Sequence, residues 1–469
     1  MVSDHKSAAP VRLSPLDLGA KLRAAVTGRV ITPADADYDA ARAVFYGGID
    51  RHPAAVVRVA NATDAARVVS FARDHGVELA IRSGGHSGVG HSTTDGGIVL
   101  DLSAMKAFDI DLTARTAWAE AGLTAGEVTT TAAAHGLAIG FGDTGSVGIG
   151  GITVGGGVGY LVRKYGLTID NLLAAEVVTA DGEILHVDDH TYPDLFWAIR
   201  GGGGNFGVVT RFQFQLHPLA TVYGGELVLP ATPETLRAFV AAADAAPEEL
   251  SSIANVMPAP PMPFLPAEVH GKLIIFATLV YAGDAAAGEQ ALAPFRAIAT
   301  PLADMLRPMA YPEVYPPDDP DYHPVAASRT LFIDRLDQSA ADLMFDYLKQ
   351  RVAPFSVVQV RALGGAYARV PVDATAYAHR DRRIMVNVAA LYDQPDLAAP
   401  AEAWVDKFAA ALQQGDGTVG AYVNFLSGDG TARIREAYPG ATWERLRAIK
   451  AHYDPTNLFH LNHNIPPAE

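Results

Sequence analysis

Three dense glycine clusters constrain this chain more than any other feature: SGGHSGVG at 83–90, the run from Gly140 to Gly159, and Gly201–Gly207. Glycine permits positive φ and lets backbone N–H groups come close to a ligand. Successive N–H groups in such turns form nests that hold anionic oxygens without a lysine. The first two strands and a helix can be read around the first cluster. Val56–Val59 is a buried strand, and Asn61–His75 is a helix with Thr63 able to cap it. Within it Ala65, Val68, Val69 and Ala72 recur at helical spacing before Gly76. Val77–Arg82 and Ile98–Leu102 read as further strands. Arg82-Ser83-Gly84-Gly85-His86-Ser87 therefore follows a strand end and suits a pyrophosphate nest. A set of plain tight turns remains the alternative at this point.

Gly202–Gly207 matches G-x-G-x-x-G, but a dinucleotide fingerprint needs a strand before it and a helix after it. Here the helix-like Leu195–Arg200 precedes it and the strand Val208–Leu216 follows, so a Rossmann fold is rejected. Ser146 lacks the first glycine of a nucleophile elbow, and no G-x-x-x-x-G-K-[ST] occurs. The absence of cysteine removes disulfides, thiolate nucleophiles, cysteine zinc sites and iron–sulfur clusters together. His460-x-x-His463 has metal-like spacing without a carboxylate in helical register, so no metal site is expected.

At 469 residues the chain needs two domains or two lobes. From about Leu219 to Gly420 the glycine clusters thin out. Strands at Leu273–Tyr281, Val357–Val360 and Ile384–Leu391 are separated by helices at Thr232–Ala245, Ser339–Gln350 and Glu402–Gln413. That segregation predicts an α+β lobe whose antiparallel sheet is flanked by helices. Two proline-rich segments, Met257–Pro266 and Arg307–Pro324, are expected as surface loops near an opening. The composition, 49% hydrophobic and 19% charged, is that of a soluble protein. No apolar run reaches the roughly 18 residues that span a bilayer. The N-terminal stretch has no apolar signal core, so a cytoplasmic location is the expectation. A net charge of −16 argues against nucleic-acid partners.

Arg82–Ser87, Gly148-Ile149-Gly150-Gly151, Gly155-Gly156-Gly157-Val158-Gly159 and Arg163-Lys164-Tyr165-Gly166-Leu167 follow one another in an order that closely resembles the berberine-bridge-enzyme-like flavoproteins. These belong to the vanillyl-alcohol-oxidase-type FAD superfamily with its PCMH-type FAD-binding domain. Phe196–Gly201, Gly207–Thr210 and the tail Tyr453–Phe459 with Asn462–Pro467 fit the same pattern. The resemblance implies a two-lobed α+β molecule: an FAD domain at 1–217, a substrate domain at 218–419, and a segment at 420–469 that completes the FAD domain. It puts His86 at the family's histidyl attachment position on the flavin 8α carbon. Arg82, Ser83, Gly84, Gly85 and Ser87 would cradle the pyrophosphate. Asp143, Thr144, Gly148, Gly150, Gly151, Gly207 and Val209 would line the cofactor, and Asn462 and Asn464 would close over it. Many relatives carry a second flavin bond from a cysteine where this chain has Thr144, so a single attachment is expected, similar to the 6-hydroxy-D-nicotine oxidase type.

The family's chemistry is hydride transfer from a small organic substrate to flavin N5, followed by reoxidation with O₂ to H₂O₂. Tyr422, Tyr367, His379 and Arg380, in that order, are candidates for the proton-accepting group. Each also has a plainer reading as a packing or binding residue. Val147 stands where valine in relatives admits O₂. Three readings stay open: an oxidase, a flavin dehydrogenase with an acceptor other than O₂, and a non-catalytic flavin-binding protein. If the glycine register is right, Thr144→Cys should create a second flavin bond on incubation under air at raised pH, because the thiolate is the nucleophile. Mass spectrometry of the digest should then find one flavin joining two peptides. A flavin joined only to the His86 peptide would mean that Thr144 lies away from the flavin edge.

Overall fold

The computed structural model describes residues 15–413, 420–428 and 430–469. Residues 1–14 of the expected first domain and 414–419 of the expected middle domain lie outside the described residues. Short apolar runs near the N-terminus pair as Arg29–Ile31, Ala55–Arg58, Ile98–Asp101 and Leu79–Arg82, in that order across a four-stranded sheet. The last two contacts are parallel, which the intervening helix Ala62–His75 makes possible. That helix is capped by Asn61, not Thr63: the Asn61 side chain accepts the Asp64 N–H at 2.9 Å from an extended backbone, and Thr63 already lies inside the first turn. Its buried face carries Ala65, Val68, Val69 and Ala72, as the spacing predicted.

A second, antiparallel sheet orders Phe108–Asp111, Thr116–Glu120, Val208–Gln215, Leu172–Val178 and Ile184–Asp188. The Gly201–Gly207 cluster lies between the helix Pro193–Ile199 and the strand Val208–Gln215, the reverse of a dinucleotide fingerprint.

The middle of the chain forms one eight-stranded antiparallel sheet. Its long strands are Val222–Pro230, Leu250–Pro258, Leu273–Tyr281, Ala326–Ile333, Phe355–Ala362 and Ile384–Leu391. The helices Pro233–Ala245, Ala285–Arg296, Gln338–Lys349 and Ala398–Leu412 cover one face. Alternate strand residues such as Leu227, Ala254, Leu279, Val360 and Val386 pack there against Leu236, Phe345 and Phe408. The proline-rich segment after Met257 closes the hairpin between Leu250–Pro258 and Leu273–Tyr281, and buries Ala259 and Leu265 against Val228 and Ile274.

Three buried cations tie the chain together. Arg163, in the RKYG motif, donates to the carbonyls of Ala243 and Ala246 at 2.8 Å each, locking the glycine-rich half onto the middle lobe. Arg380 makes a two-pronged ion pair with Asp170 at 2.6 and 2.7 Å. Lys450, fully buried on the helix Ala441–Tyr453, donates to Asp454 (2.6 Å), the Asn205 carbonyl (2.7 Å) and the Phe459 carbonyl (2.9 Å). Asn205 in turn receives the Ile465 N–H at 2.9 Å, so the C-terminal segment is held against the third glycine cluster. Burial pushes the Lys450 ammonium down and Asp454 opposes it. Removing one partner of such a pair strands the other charge, at a cost of about 3–5 kcal/mol. Lys450→Met should therefore lower the thermal midpoint sharply, and Lys450→Met/Asp454→Leu should recover part of the loss. A single variant as stable as wild type would show that the ammonium does not hold the tail.

Candidate active site

The first two glycine clusters meet backbone to backbone. A Cβ at Gly84 would lie 2.2 Å from the Gly148 nitrogen, and one at Gly148 would lie 2.3 Å from Ser83 Oγ, so only glycine fits at either position. Ser83 Oγ donates to the Ala121 carbonyl at 2.6 Å and accepts the Gly150 N–H at 3.2 Å, joining the loop to the short helix Ile149–Val154. Gly85 has φ +73°, a turn that brings His86 round beside Phe45. The two rings stack at 4.1 Å with 17° between their planes. One imidazole nitrogen is held by the Ser146 backbone, while burial pushes the ring down to about 4. His86 is therefore neutral at ordinary pH, with a lone pair on one nitrogen.

A cavity of about 420 Å³ opens at this point, lined by Ser83–His86, Val44, Phe45 and Ser146. Asp318–Pro320, Tyr322 and His323 from the second proline-rich segment form its other wall. Arg82 commits its guanidinium to Asp101 (2.9 Å) and the Ala41 carbonyl (2.6 Å), which steadies the loop. Ser87 Oγ accepts the His91 N–H at 3.2 Å. Gly151 has open space around its Cβ position. Gly207, at φ +155°, leads into the strand on which Val209 is buried. In the tail, Asn462 donates to the Gly204 carbonyl at 3.1 Å, and His463 meets His91 edge to face at 4.9 Å. The side-chain oxygens of Asn462 and Asn464 are buried without a partner, as is Thr153 Oγ1. The glycine cradles, the neutral histidine and the orphaned polar atoms on the tail and the Ile149–Val154 helix fit an FAD, which has many donors of its own.

Tyr422, Tyr367 and His379 are brought together around Tyr377, which lies 5.9–6.1 Å from each ring. Arg380 sits over Tyr377 at 5.2 Å, held by Asp170. Tyr367 gives its proton to the His379 carbonyl. Burial holds His379 down to about 4, and its Nε2 has no partner. Tyr422 differs from these. Its oxygen receives N–H groups from Gly157 (3.0 Å), Val158 (3.3 Å) and Asn424 Nδ2 (2.9 Å). Burial pushes the phenol up, and these three donors offset it only in part.

Sequence reading missed the polar belt on the large sheet. On the face away from the helices, one apolar patch contains Val222, Ile253 and Val280. A second contains Val228, Met257 and Ile274. Between them the same face carries Glu226, Thr278, Asn255, Gln359 and Arg361, and across the neighbouring strands Asn387 and Thr330. Arg361 pairs with Asp143, beside Thr144, and donates to the Val158 carbonyl at 3.2 Å, so the belt faces the glycine clusters. Thr144 Oγ1 itself lies 3.5 Å from Asp143 Oδ1, and Val147 packs against the core of the glycine-rich half. Gln359 donates to Asn255 at 3.1 Å and accepts from Arg361. Glu226 Oε2, Asn387 Oδ1 and Thr330 Oγ1 are buried with no partner. The available signal was a lone polar residue inside an otherwise apolar strand, Glu226 in Val222–Pro230 and Asn387 in Ile384–Leu391.

These features define a flavin-binding oxidoreductase fold in which the polar belt of the large sheet faces the glycine clusters. Residues 53–188 match the family model for the FAD binding domain, and 421–466 match the berberine and berberine-like family. The chain is 31% identical over 454 residues to (R)-6-hydroxynicotine oxidase of Paenarthrobacter nicotinovorans, covering 94% of this chain and 97% of that protein. The structure of 6-hydroxy-D-nicotine oxidase from Arthrobacter nicotinovorans superposes with a TM-score of 0.83 at 28% identity, covering 94% of this chain and 98% of that one. Glucooligosaccharide oxidase from Acremonium strictum, with a 6-S-cysteinyl, 8α-N1-histidyl FAD, gives 0.85 at 25% identity, with coverages of 96% and 99%. The chain belongs to the berberine-like FAD-linked oxidoreductases, is an enzyme, and takes FAD as its cofactor. Among the described residues no helix is long and apolar enough to cross a membrane, and no group of three or more His, Asp or Glu side chains is arranged to hold a metal.

Burial pushes the Glu226 carboxyl up to about 7, with Thr278 pulling against it. An unfolded glutamate titrates near about 4.3. The folded chain thus keeps a proton that the unfolded chain releases, and stability falls as pH rises from the unfolded value through about 7. Glu226→Gln removes this penalty. Its thermal midpoint relative to wild type should climb between about pH 5 and pH 8, and a constant offset across that range would contradict the assignment.

Proposed function

We propose that this protein is an oxidase that carries FAD on a single covalent bond to His86 and oxidises a small organic molecule. The observation that carries the reading is the neutral, oriented His86 imidazole at the wall of the cavity beside the Gly84–Gly148 contact. An imidazole with a free lone pair is the form that can attack an electrophilic carbon. Relatives named as oxidases of 6-hydroxynicotine and of oligosaccharides support the reaction class. The absence of cysteine supports single attachment. When bound, FAD supplies a hydride acceptor that O₂ can reoxidise.

The domain division at 1–217, 218–419 and 420–469 is part of this reading, supported by the change from mixed and small sheets to the large antiparallel one. Ser83–Ser87 and the N–H groups around Gly148–Gly151 would hold the pyrophosphate. Asn462 and Asn464 would close over the cofactor. Tyr422 is the group assigned to accept the substrate proton. A neutral phenol oxygen offers two acceptor sites, whereas three N–H donors converge on this one and offset part of the burial that keeps the phenol above its ordinary value. His379 and Tyr367 are assigned to packing around Tyr377, and Arg380 to the Asp170 ion pair. Val147, with its side chain only partly buried, is assigned to O₂ access.

Acid precipitation of the yellow protein should leave the flavin on the polypeptide, and His86→Ala should release it to the supernatant. Flavin released from both chains would overturn the covalent assignment. Tyr422→Phe should slow flavin reduction about 10²–10⁴-fold, the usual range for a lost general base, while flavin content stays at the wild-type level. Peroxide produced in step with substrate loss separates an oxidase from a dehydrogenase.

A further inference from the structure

The belt contains two charged residues, and only one is neutralised. Arg361 is engaged by Asp143, by Gln359 Oε1 at 2.7 and 3.0 Å, and by the Val158 carbonyl. Glu226 forms no ion pair among the described residues, and its Oε2 is buried with no hydrogen-bond partner. Thr278 reaches the carboxyl group. Leaving a buried acceptor unmade is costly, and native structures tolerate it chiefly where something else arrives to meet it.

We infer that Glu226 anchors a positively charged nitrogen of the substrate, at the end of the polar belt remote from Tyr422. The inference rests on the flavin-oxidase reading above. A neutral hydroxyl would satisfy the orphaned oxygen but leave a charge in a poorly solvated place. An ammonium does both, through a charge-assisted bond about twice as strong as a neutral one.

Register sets the length of the molecule. Glu226, Thr278, Ile253 and Arg361 form one cross-strand row. Glu226 therefore stands three strand spacings, about 14 Å, from Arg361. Arg361 marks the reacting end, because Val158, whose carbonyl it holds, donates its N–H to Tyr422. Tyr160, packed against Ile253 and Val280 and bonded to the Asp143 carbonyl at 3.4 Å, lies between the two ends and supplies an aromatic floor. The substrate class is an elongated molecule with a basic amine at one end and the oxidisable C–H at the other.

Straight-chain amino alcohols of graded length, each matched with the neutral alkanol of equal length, test this on the purified holoenzyme. Binding is read as the shift in thermal midpoint and as perturbation of the flavin visible spectrum. At about pH 8 wild type should bind the best-fitting amino alcohol about tenfold more tightly than its alkanol, a gap suited to one charge-assisted contact. The preference should shrink at about pH 5.5, persist in weakened form in Glu226→Asp, and vanish in Glu226→Gln. Equal binding of amines and alkanols at every length, or a preference that survives in Glu226→Gln, would overturn the inference. The thermal shift needs no flavin signal, so a colourless protein that still prefers amines would reject the oxidase reading while leaving Glu226 in place.

Discussion

The contact between Gly84 and Gly148 is the constraint around which the rest of the glycine-rich half is arranged. Two backbones approach so closely that neither position admits a side-chain carbon. That approach lets Ser83 bridge Ala121 and Gly150. The turn at Gly85 then delivers His86 against Phe45. The small and mixed sheets serve as abutments that bring two loops into register from opposite sides. The glycines are thus required by approach distance first and by backbone angle second.

The large sheet solves a different problem. Its helix-covered face is a conventional apolar core, but its other face has to be apolar at its edges and polar across the middle. The Arg361–Asp143 pair fixes the sheet over the glycine loops, and the Gln359–Asn255 bond continues the network along the belt. Three acceptors are left over, on Glu226, Asn387 and Thr330. Burying them without a partner costs stability in the fold. The three lie in two neighbouring rows, Glu226 in line with Thr278 and Arg361, and Asn387 and Thr330 in line with Gln359.

Much of the architecture was legible because it is written in local patterns. Leu273–Tyr281 and Ile384–Leu391 are apolar runs interrupted only by Thr278 and Asn387, and both are strands with those limits. Thr232 before Pro233 announces a helix start, and its hydroxyl accepts the Thr235 N–H at 3.1 Å. The Rossmann match at Gly202–Gly207 could be dismissed because strand and helix stood in the wrong order. The Asn61 cap was misread as Thr63 because both residues suit a cap and only backbone geometry separates them. The belt was illegible for a deeper reason. Which face of a strand meets the helices depends on strands and helices tens of residues away, so a lone Glu226 or Asn387 reads as an isolated polar residue until the sheet is assembled. The role of Lys450 is long-range in the same sense, since one of the carbonyls it satisfies belongs to Asn205.

That last contact carries a consequence for how the protein is made. Asn205 and Lys450 are separated by 245 positions along the chain. During synthesis the glycine-rich half emerges first, and the third glycine cluster has to wait for almost all of the remaining polypeptide before its buried partner exists. Closing so long a loop costs only slowly increasing entropy, but it cannot happen early. The nascent chain therefore passes through a stage in which the middle lobe can fold while the cofactor half remains open at the Asn205 side. The third glycine cluster therefore gains its buried cation only after the C-terminal helix has emerged, later than the contact between the loops of Gly84 and Gly148.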